Sequence, residues 1–142
     1  MASKLGIKVS EVMNRFPVIT SKNELLPKAA RKMLSHNVGC LIVKEKDTLI
    51  GIVTEKDIVE DAVAKELNIK KTRVKDVMSI AMINISPDDD ILDAIRKMKR
   101  EDVRRLPVLD GRKLVGLLTV RDILRAEPKL FDYFRTSIIK KK

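Results

Sequence analysis

The chain has 142 residues, of which 44% are hydrophobic, and it carries a formal net charge of +10 at pH 7. This composition is typical of a folded globular protein and not of a disordered one. A single cysteine excludes an internal disulfide, and one cysteine with one histidine cannot supply the ligands of a usual structural zinc site.

The distribution of apolar residues predicts neither a membrane span nor a secretory signal. No apolar run approaches the roughly 20 residues that cross a bilayer, and the amino end lacks an apolar block. We therefore expect a cytoplasmic protein without a membrane partner. The basic charge favours anionic partners such as nucleotides, nucleic acid or acidic proteins, although a lysine-rich solvated surface explains it equally well.

In chain order, a short polar lead-in over residues 1–8 is followed by a sequence that occurs twice. A shift of about 65 residues, without a gap, aligns Val9–Glu60 with Val74–Arg125. We therefore predict two repeats, 9–60 and 74–125. A helix end and a lysine-rich connection over 61–73 join them, and a basic helix or tail over 126–142 follows.

The first half of each repeat predicts a helical turn, a brief strand and an amphipathic helix. In the first copy these are Val9–Met13, Val18–Thr20 and a helix starting at Ser21, the first residue of a sequence close to a capping box. Apolar residues at helical spacing give this helix one buried face and leave its Arg-Lys pair exposed. The second copy has the same pattern, with Ile83–Ile85 as the strand and Ser86 at the helix start.

The second half of each repeat predicts a hairpin and then a helix. In the first copy, strands at Val38–Val43 and Leu49–Thr54 are joined by a loose turn, and an amphipathic helix includes Ile58–Val63. In the second copy, Asp110-Gly111 favours a tight turn. Each copy is thus β-α-β-β-α, which predicts an α+β, sandwich-like fold in which two copies pack with pseudo-twofold symmetry around one core.

The residues around the second hairpin resemble a known family. Arg104–Val108 reads Arg-Arg-Leu-Pro-Val and Gly116–Asp122 reads Gly-Leu-Leu-Thr-Val-Arg-Asp. With a Val-Met pair near the start of each copy, a strand ending at serine and an alanine-bearing helix, they resemble the CBS domain. The tandem copies over Val9–Arg125 resemble a CBS pair, or Bateman module.

The resemblance implies a regulatory module and not an enzyme. Such a module binds an adenosyl ligand, AMP, ADP, ATP or S-adenosylmethionine, in clefts between the repeats. The residues signal no further cofactor and no metal site, so we expect neither. It also implies a homodimer that changes shape on binding and regulates a protein that the sequence does not identify.

Carried over position by position, the resemblance implies two ligand sites. The aspartate of each Gly-x-x-Thr-x-x-Asp pattern accepts hydrogen bonds from ribose hydroxyls, and the threonine faces ribose or phosphate. First-strand residues hold the adenine edge, a Leu-Pro-Val segment forms an apolar wall, and nearby cations contact phosphate. The candidates in that order are Asp57 and Asp122; Thr54 and Thr119; Ile19, Thr20, Asn84 and Ile85; Leu106, Pro107 and Val108; and Lys56, Arg105 and Arg121.

Elementary chemistry agrees with these roles, because a carboxylate suits a cis-diol and arginine suits phosphate. The alternative is that the threonines and aspartates are ordinary helix caps. The copies also differ, since the second has Arg104-Arg105 where the first has Gly39-Cys40. We therefore expect asymmetric occupancy, with the second site dominant.

Three functions stay open at the level of sequence. The first is an adenosyl-ligand sensor, the second a basic nucleic-acid-binding module, and the third a purely structural dimerisation module with vestigial pockets. A steep salt dependence of oligonucleotide binding favours the second. The absence of a thermal shift with any nucleotide favours the third.

Overall fold

A computed structural model describes residues 4–80 and 83–140, with the side chains of 136–140 excepted. Strands and helices are mixed along the chain, which confirms the predicted α+β class. The elements are α1 (Val9–Val12), β1 (Ile19–Thr20), α2 (Leu26–His36), β2 (Cys40–Glu45), β3 (Thr48–Thr54), α3 (Glu55–Asp57) continuing as a π-helix (Ile58–Val63), a 3₁₀ turn (Val74–Asp76), α4 (Ile91–Glu101), β4 (Arg105–Asp110), β5 (Lys113–Thr119), α5 (Val120–Ala126), a second 3₁₀ turn (Pro128–Leu130) and α6 (Phe131–Lys140).

The chain divides into two compact units whose limits differ from those of the sequence repeats. The C-unit combines the described residues up to Phe16 with those from Ile83 onwards, and the N-unit contains the described residues from Pro17 to Ile80. Helix α1, which begins the first copy, therefore belongs with the body of the second copy. The equivalent 3₁₀ turn, Val74–Asp76, belongs with the body of the first.

The N-unit is built on a three-stranded sheet. Strand β1 pairs with β2 in parallel, and β2 pairs with β3 in an antiparallel hairpin. Helix α2 packs its apolar face on this sheet, as the helical spacing predicts. The buried core residues are Leu26, Ala29, Met33, Leu41, Val43, Val53, Ala62, Val74 and Val77.

The C-unit repeats this plan with a shorter first strand. Strands β4 and β5 form the antiparallel hairpin, and the predicted strand Ile83–Ile85 is reduced to one parallel bridge between Ile85 and Val108. Helix α6 adds Phe134, which is 2% exposed, to the core of its own unit. The other buried core residues are Val9, Met13, Ile85, Ile91, Ala94, Ile95, Met98, Leu106, Val108, Leu118, Ile123 and Leu130.

A glycine in each hairpin allows a leading segment, the stretch at the start of one sequence copy that belongs to the unit of the other copy, to lie against the hairpin. A Cβ atom on Gly116 would come within 2.9 Å of the Asn14 carbonyl oxygen, and one on Gly51 within 2.6 Å of the Ser79 carbonyl oxygen. Asn14 and Leu117 exchange two backbone hydrogen bonds of 2.9 Å. Ser79 makes the same pair of bonds in the N-unit, so both copies need glycine at this point for the same reason.

The prediction that α2 and its counterpart α4 start at serine is wrong. Helix α2 begins at Leu26 and α4 at Ile91, five residues after Ser21 and Ser86. Each serine hydroxyl instead accepts a hydrogen bond from the backbone N–H two residues later, at 3.2 and 3.3 Å, in a turn that precedes the helix. Pro27 consequently lies in the first turn of α2, where its missing N–H removes no helical bond.

The turn of the first hairpin is as tight as that of the second, contrary to the sequence prediction. The loops are Lys46-Asp47 and Gly111-Arg112, two residues each. Lys46 has a φ of 58° and Gly111 a φ of 65°, so lysine adopts the left-handed conformation that glycine provides in the other copy. Asp110 ends β4 instead of occupying the turn.

The helix after the first hairpin does not bury the predicted face. It turns as a π-helix over Ile58–Val63, with the Ala64 N–H donating to the Val59 carbonyl at 2.9 Å, an i to i+5 bond. Ala62 is buried, but Val59 and Val63 are 59% and 58% exposed. The α-helical period used for the prediction does not apply to this segment.

We expect Gly116→Ala and Gly51→Ala each to lower the free energy of unfolding by about 1–3 kcal/mol, because a backbone carbonyl occupies the space of the new methyl group. Gly39→Ala is the control, since its Cβ would meet only the mobile end of Glu55. Urea unfolding measures all three variants. A Gly39→Ala loss equal to the others would contradict the role of the close approach.

Asp90 ties residues near the amino end to the start of α4. Its carboxylate accepts hydrogen bonds from the backbone N–H groups of Leu5 (2.9 Å), Gly6 (2.8 Å) and Leu92 (2.9 Å). Burial of the carboxylate acts to raise its pKa, but the backbone donors outweigh burial and lower the pKa below its ordinary value. The equivalent residue of the first copy is Leu25, which has no side-chain cap.

A lowered pKa stabilises the fold above the pKa of the unfolded chain, and this stabilisation is lost as pH falls through the folded-state pKa. We expect Asp90→Asn to cost about 1–3 kcal/mol at pH 7, because an amide donor would face the Gly6 N–H. The variant should lose less stability than the parent between neutral and acid pH. Asp88→Asn, at an exposed position with the same charge change, should leave the acid profile unaltered.

Candidate functional site

In each unit, a threonine at the end of the hairpin and the aspartate three residues later bind one another's backbone. Thr119 N–H donates to Asp122 Oδ2 at 3.0 Å, and Asp122 N–H donates to Thr119 Oγ1 at 3.0 Å. Thr54 and Asp57 make the same two bonds at 2.9 and 3.0 Å. These are reciprocal capping boxes, which confirms that the threonine and the aspartate of each pattern cap a helix.

The capping boxes leave half of each carboxylate unused. Asp57 and Asp122 each accept one hydrogen bond, from the backbone N–H of the capping threonine to Oδ2, and Oδ1 accepts none from the residues that the structure describes. Both side chains are only partly buried. Each aspartate is therefore held in a fixed orientation through Oδ2, and its Oδ1 keeps an unused acceptor capacity.

The hairpin register places one further residue beside each threonine. Arg105 is opposite Thr119 in the β4–β5 ladder, and Cys40 is opposite Thr54 in the β2–β3 ladder. The Nε atom of Arg105 is buried and has no acceptor among the described residues. A buried guanidinium nitrogen without an acceptor is costly, so Arg105 Nε is a polar group that the described residues leave unsatisfied.

The first-strand residues differ in the backbone groups that they have available. Ile85 uses both of its groups in the sheet, donating to the Pro107 carbonyl at 3.0 Å and accepting from the Leu109 N–H at 2.9 Å. Asn84 faces the opposite way, because neighbouring strand residues turn their amides in opposite directions. Its carbonyl accepts from Lys97 Nζ at 2.7 Å, and its N–H has no acceptor within the described part of the chain.

The N-unit has the same lysine contact. Lys32 Nζ donates to the Ile19 carbonyl at 3.0 Å, as Lys97 does to Asn84. The sequence interpretation placed both lysines on an exposed face and missed this contact. One signal could have revealed the contact: both copies have a lysine at this matched position. Beside Ile19, the hydroxyl of Thr20 is buried without a hydrogen-bond partner in the described ranges.

The Leu-Pro-Val segment contributes mainly to the core. Leu106 and Val108 are completely buried in the C-unit core. Pro107 lies between them on the opposite face of β4, because side chains of a strand alternate. Of these three candidates, Pro107 is the one whose side chain faces away from that core, although it is buried like the other two.

The two candidate phosphate cations have different surroundings. Lys56 has an 80% exposed side chain and forms an ion pair of 3.5 Å with Glu60. Arg121 is exposed and forms no ion pair with any residue that the structure describes. Its charge is consequently more available to an anionic ligand than that of Lys56.

The predicted site residues thus fall into one set per unit. The N-unit holds Ile19, Thr20, Thr54, Lys56 and Asp57, and the C-unit holds the remaining candidates. Both sets offer hydrogen-bond acceptors and cations, which is chemistry for binding. Across 4–80 and 83–140, no group of three histidine, cysteine, aspartate or glutamate side chains could hold a metal ion. Nor does that part of the chain contain a helix with the length and hydropathy of a membrane span.

Comparison with known proteins connects this arrangement to one family. The family model of the CBS domain matches residues 9–63 and again residues 74–129. An uncharacterized protein of Methanopyrus kandleri is 37% identical over 127 residues, which are 88% of this chain and 65% of that protein. The chain therefore spans about two thirds of the length of this relative.

Solved structures share the fold as well as the sequence pattern. A putative signal-transduction protein with CBS domains from Burkholderia ambifaria superimposes with a TM-score of 0.76 at 30% identity, covering 83% of this chain and 89% of its own. The CBS domain pair of protein MJ0100, in complex with 5′-methylthioadenosine and S-adenosyl-L-methionine, gives a TM-score of 0.76 at 27% identity. It covers 86% of this chain and 96% of its own.

We expect Thr119→Ala and Thr54→Ala each to destabilise the fold by about 1 kcal/mol, because each removes the acceptor of a capping box. Thr119→Ser, which keeps the hydroxyl, should remain close to the parent. Chemical denaturation gives the comparison. Equal losses in the alanine and serine variants would mean that the methyl group, and not the hydrogen bond, is what matters.

Proposed function

Because the chain belongs to the CBS domain family and carries the domain as a tandem pair, we propose that it is a regulatory module that binds an adenosyl ligand. The ligand class is AMP, ADP, ATP, S-adenosylmethionine or a close relative. The module acts as a cytoplasmic homodimer, has no catalytic activity of its own, and passes a change of shape to a protein that it regulates.

The observation that carries this proposal is the orientation of Asp57 and Asp122. Each is fixed through Oδ2 and presents Oδ1 as an acceptor. A ribose ring offers two adjacent hydroxyl donors, and hydrogen bonds to a charged acceptor are stronger than those between neutral groups. The cap and the ligand role are therefore compatible, since they use different oxygens of one carboxylate.

Recognition of adenine is assigned to backbone groups of the first strand. In the C-unit we assign it to Asn84 and not to Ile85, whose N–H and carbonyl are both used in the sheet. Lys97 donates to the Asn84 carbonyl and so holds the peptide unit that joins Asn84 to Ile85. Pro107 provides the apolar wall, because Leu106 and Val108 are consumed by the core.

Regulation requires that the ligand bind one arrangement of the module better than another. The complex of MJ0100 with two adenosyl compounds supports the ligand class for this chain. The family includes members within larger proteins, since inosine-5′-monophosphate dehydrogenase of Methanocaldococcus jannaschii aligns with this chain over 23% of its length. A partner protein as the recipient of the signal is consistent with both.

The test is calorimetric titration of the purified chain with ATP, AMP, S-adenosylmethionine and 5′-methylthioadenosine. We expect at least one ligand to bind with micromolar affinity, and the double variant Asp57→Ala/Asp122→Ala to weaken every such ligand at least about tenfold. Asp47→Ala/Asp110→Ala is the matched control. It removes two exposed carboxylates at or beside the hairpin turns and should bind like the parent. Sedimentation with and without ligand reports the oligomeric state.

Failure of all four ligands to bind would overturn the proposal. The +10 charge would then direct attention to nucleic acid, for which oligonucleotide binding with a steep salt dependence is the expected signature. Unchanged affinity in the aspartate double variant would show that the ligand binds elsewhere.

A further inference from the structure

The two predicted sites carry opposite charge. Six positions lie in or next to the Thr-x-x-Asp box of each unit: the residue before the first hairpin strand, the first residue of that strand, the three residues after the threonine, and the residue three positions after the aspartate. In the N-unit they are Gly39, Cys40, Glu55, Lys56, Asp57 and Glu60, with one cation and three carboxylates. In the C-unit they are Arg104, Arg105, Val120, Arg121, Asp122 and Arg125, with four arginines and one carboxylate.

The matched positions are close to each box in both units. The first residue of the N-unit set, Gly39, accepts a backbone hydrogen bond of 3.0 Å from Glu55, and its counterpart Arg104 accepts one of 3.0 Å from Val120. The second position is opposite the threonine in both ladders. The comparison is therefore between equivalent surroundings, with a net charge of −2 in the N-unit and +3 in the C-unit.

Side-chain contacts increase the difference. A Cβ atom on Gly39 would meet Glu55 Oε1 at 2.6 Å, so a carboxylate covers the position where the C-unit has Arg104. Lys56, the one cation of the N-unit set, is paired with Glu60, whereas Arg125 follows Arg121 at the same spacing in the C-unit. Phosphate is attracted to the C-unit set and repelled by the N-unit set.

From these charges, and given the adenosyl function proposed above, we infer that the two sites take different ligands. The C-unit set binds a phosphorylated adenosine nucleotide, with Arg105 and Arg121 contacting phosphate. The N-unit set binds an adenosyl compound that has no phosphate and is neutral or cationic at its 5′ side. The chain thus responds to two classes of metabolite, one at each site, and does not bind the same metabolite at both sites.

The test isolates each site by removing the aspartate of the other. In Asp57→Ala, which retains the C-unit site, ATP should bind at least about tenfold more tightly than 5′-methylthioadenosine. In Asp122→Ala, which retains the N-unit site, the order should be reversed. Thermal melting of each variant verifies that the chain is folded before titration.

Substitutions that give one site the charge of the other then test which residues cause the ligand preference. In the Asp57→Ala background, Arg105→Cys copies the N-unit residue and should weaken ATP binding about tenfold or more, while changing 5′-methylthioadenosine less than about twofold. Arg112→Ala, which removes an arginine from the far end of the same hairpin, is the control and should change neither ligand. In the Asp122→Ala background, Glu60→Arg should strengthen ATP binding.

The outcomes separate this inference from the proposal on which it rests. No binding of any adenosyl compound to the parent chain overturns both. Binding with the same ligand order at the two sites, or an Arg105→Cys variant that weakens both ligands equally, overturns the inference and leaves the adenosyl function standing.

Discussion

The fold depends on a close backbone contact in each unit, between a hairpin and the leading segment that comes from the other sequence copy. Asn14 pairs with Leu117 in the C-unit and Ser79 with Ile52 in the N-unit, at distances that only glycine at 116 and 51 permits. The segments also supply core residues, including Val9 and Val74, both completely buried. Each unit therefore takes part of its core from the other sequence copy, so neither copy has a complete core of its own.

The same hairpins determine the geometry of the candidate sites. Their last residues, Thr54 and Thr119, end a strand and cap the following helix at once, and the capping partner is the aspartate proposed to hold ribose. Under the proposed function, fold stability and ligand recognition share this one side chain. Because the cap uses Oδ2 alone, the structural role orients the carboxylate without consuming it. What distinguishes the two sites is the charge around this shared frame, which is a property of side chains and not of the backbone.

Several parts of this architecture could be predicted from sequence because they depend on local periodicity or on repetition. The buried stripe of α4, from Ile91 to Met98, follows from helical spacing. The two hairpins follow from apolar strands on either side of turn residues. Errors arose where local patterns had a competing outcome: Ser21 satisfies its hydroxyl in a turn instead of a helix cap, and Lys46 adopts a left-handed φ that sequence statistics assign to glycine or asparagine. The π-helix over Ile58–Val63 has no periodic signature that distinguishes it from an α-helix.

The sequence by itself determined the tandem repeat, the α+β class, the Thr-x-x-Asp boxes and the excess of arginine in the second copy. These features depend on residues near one another in the chain or on identity between copies. Only the tertiary structure decided which leading segment joins which body, that Lys32 and Lys97 bind first-strand carbonyls, and that Arg105 Nε is buried beside Thr119 without an acceptor in the described residues. These features join residues that are far apart in sequence, and the energies that select them arise from packing and desolvation, which no local pattern records.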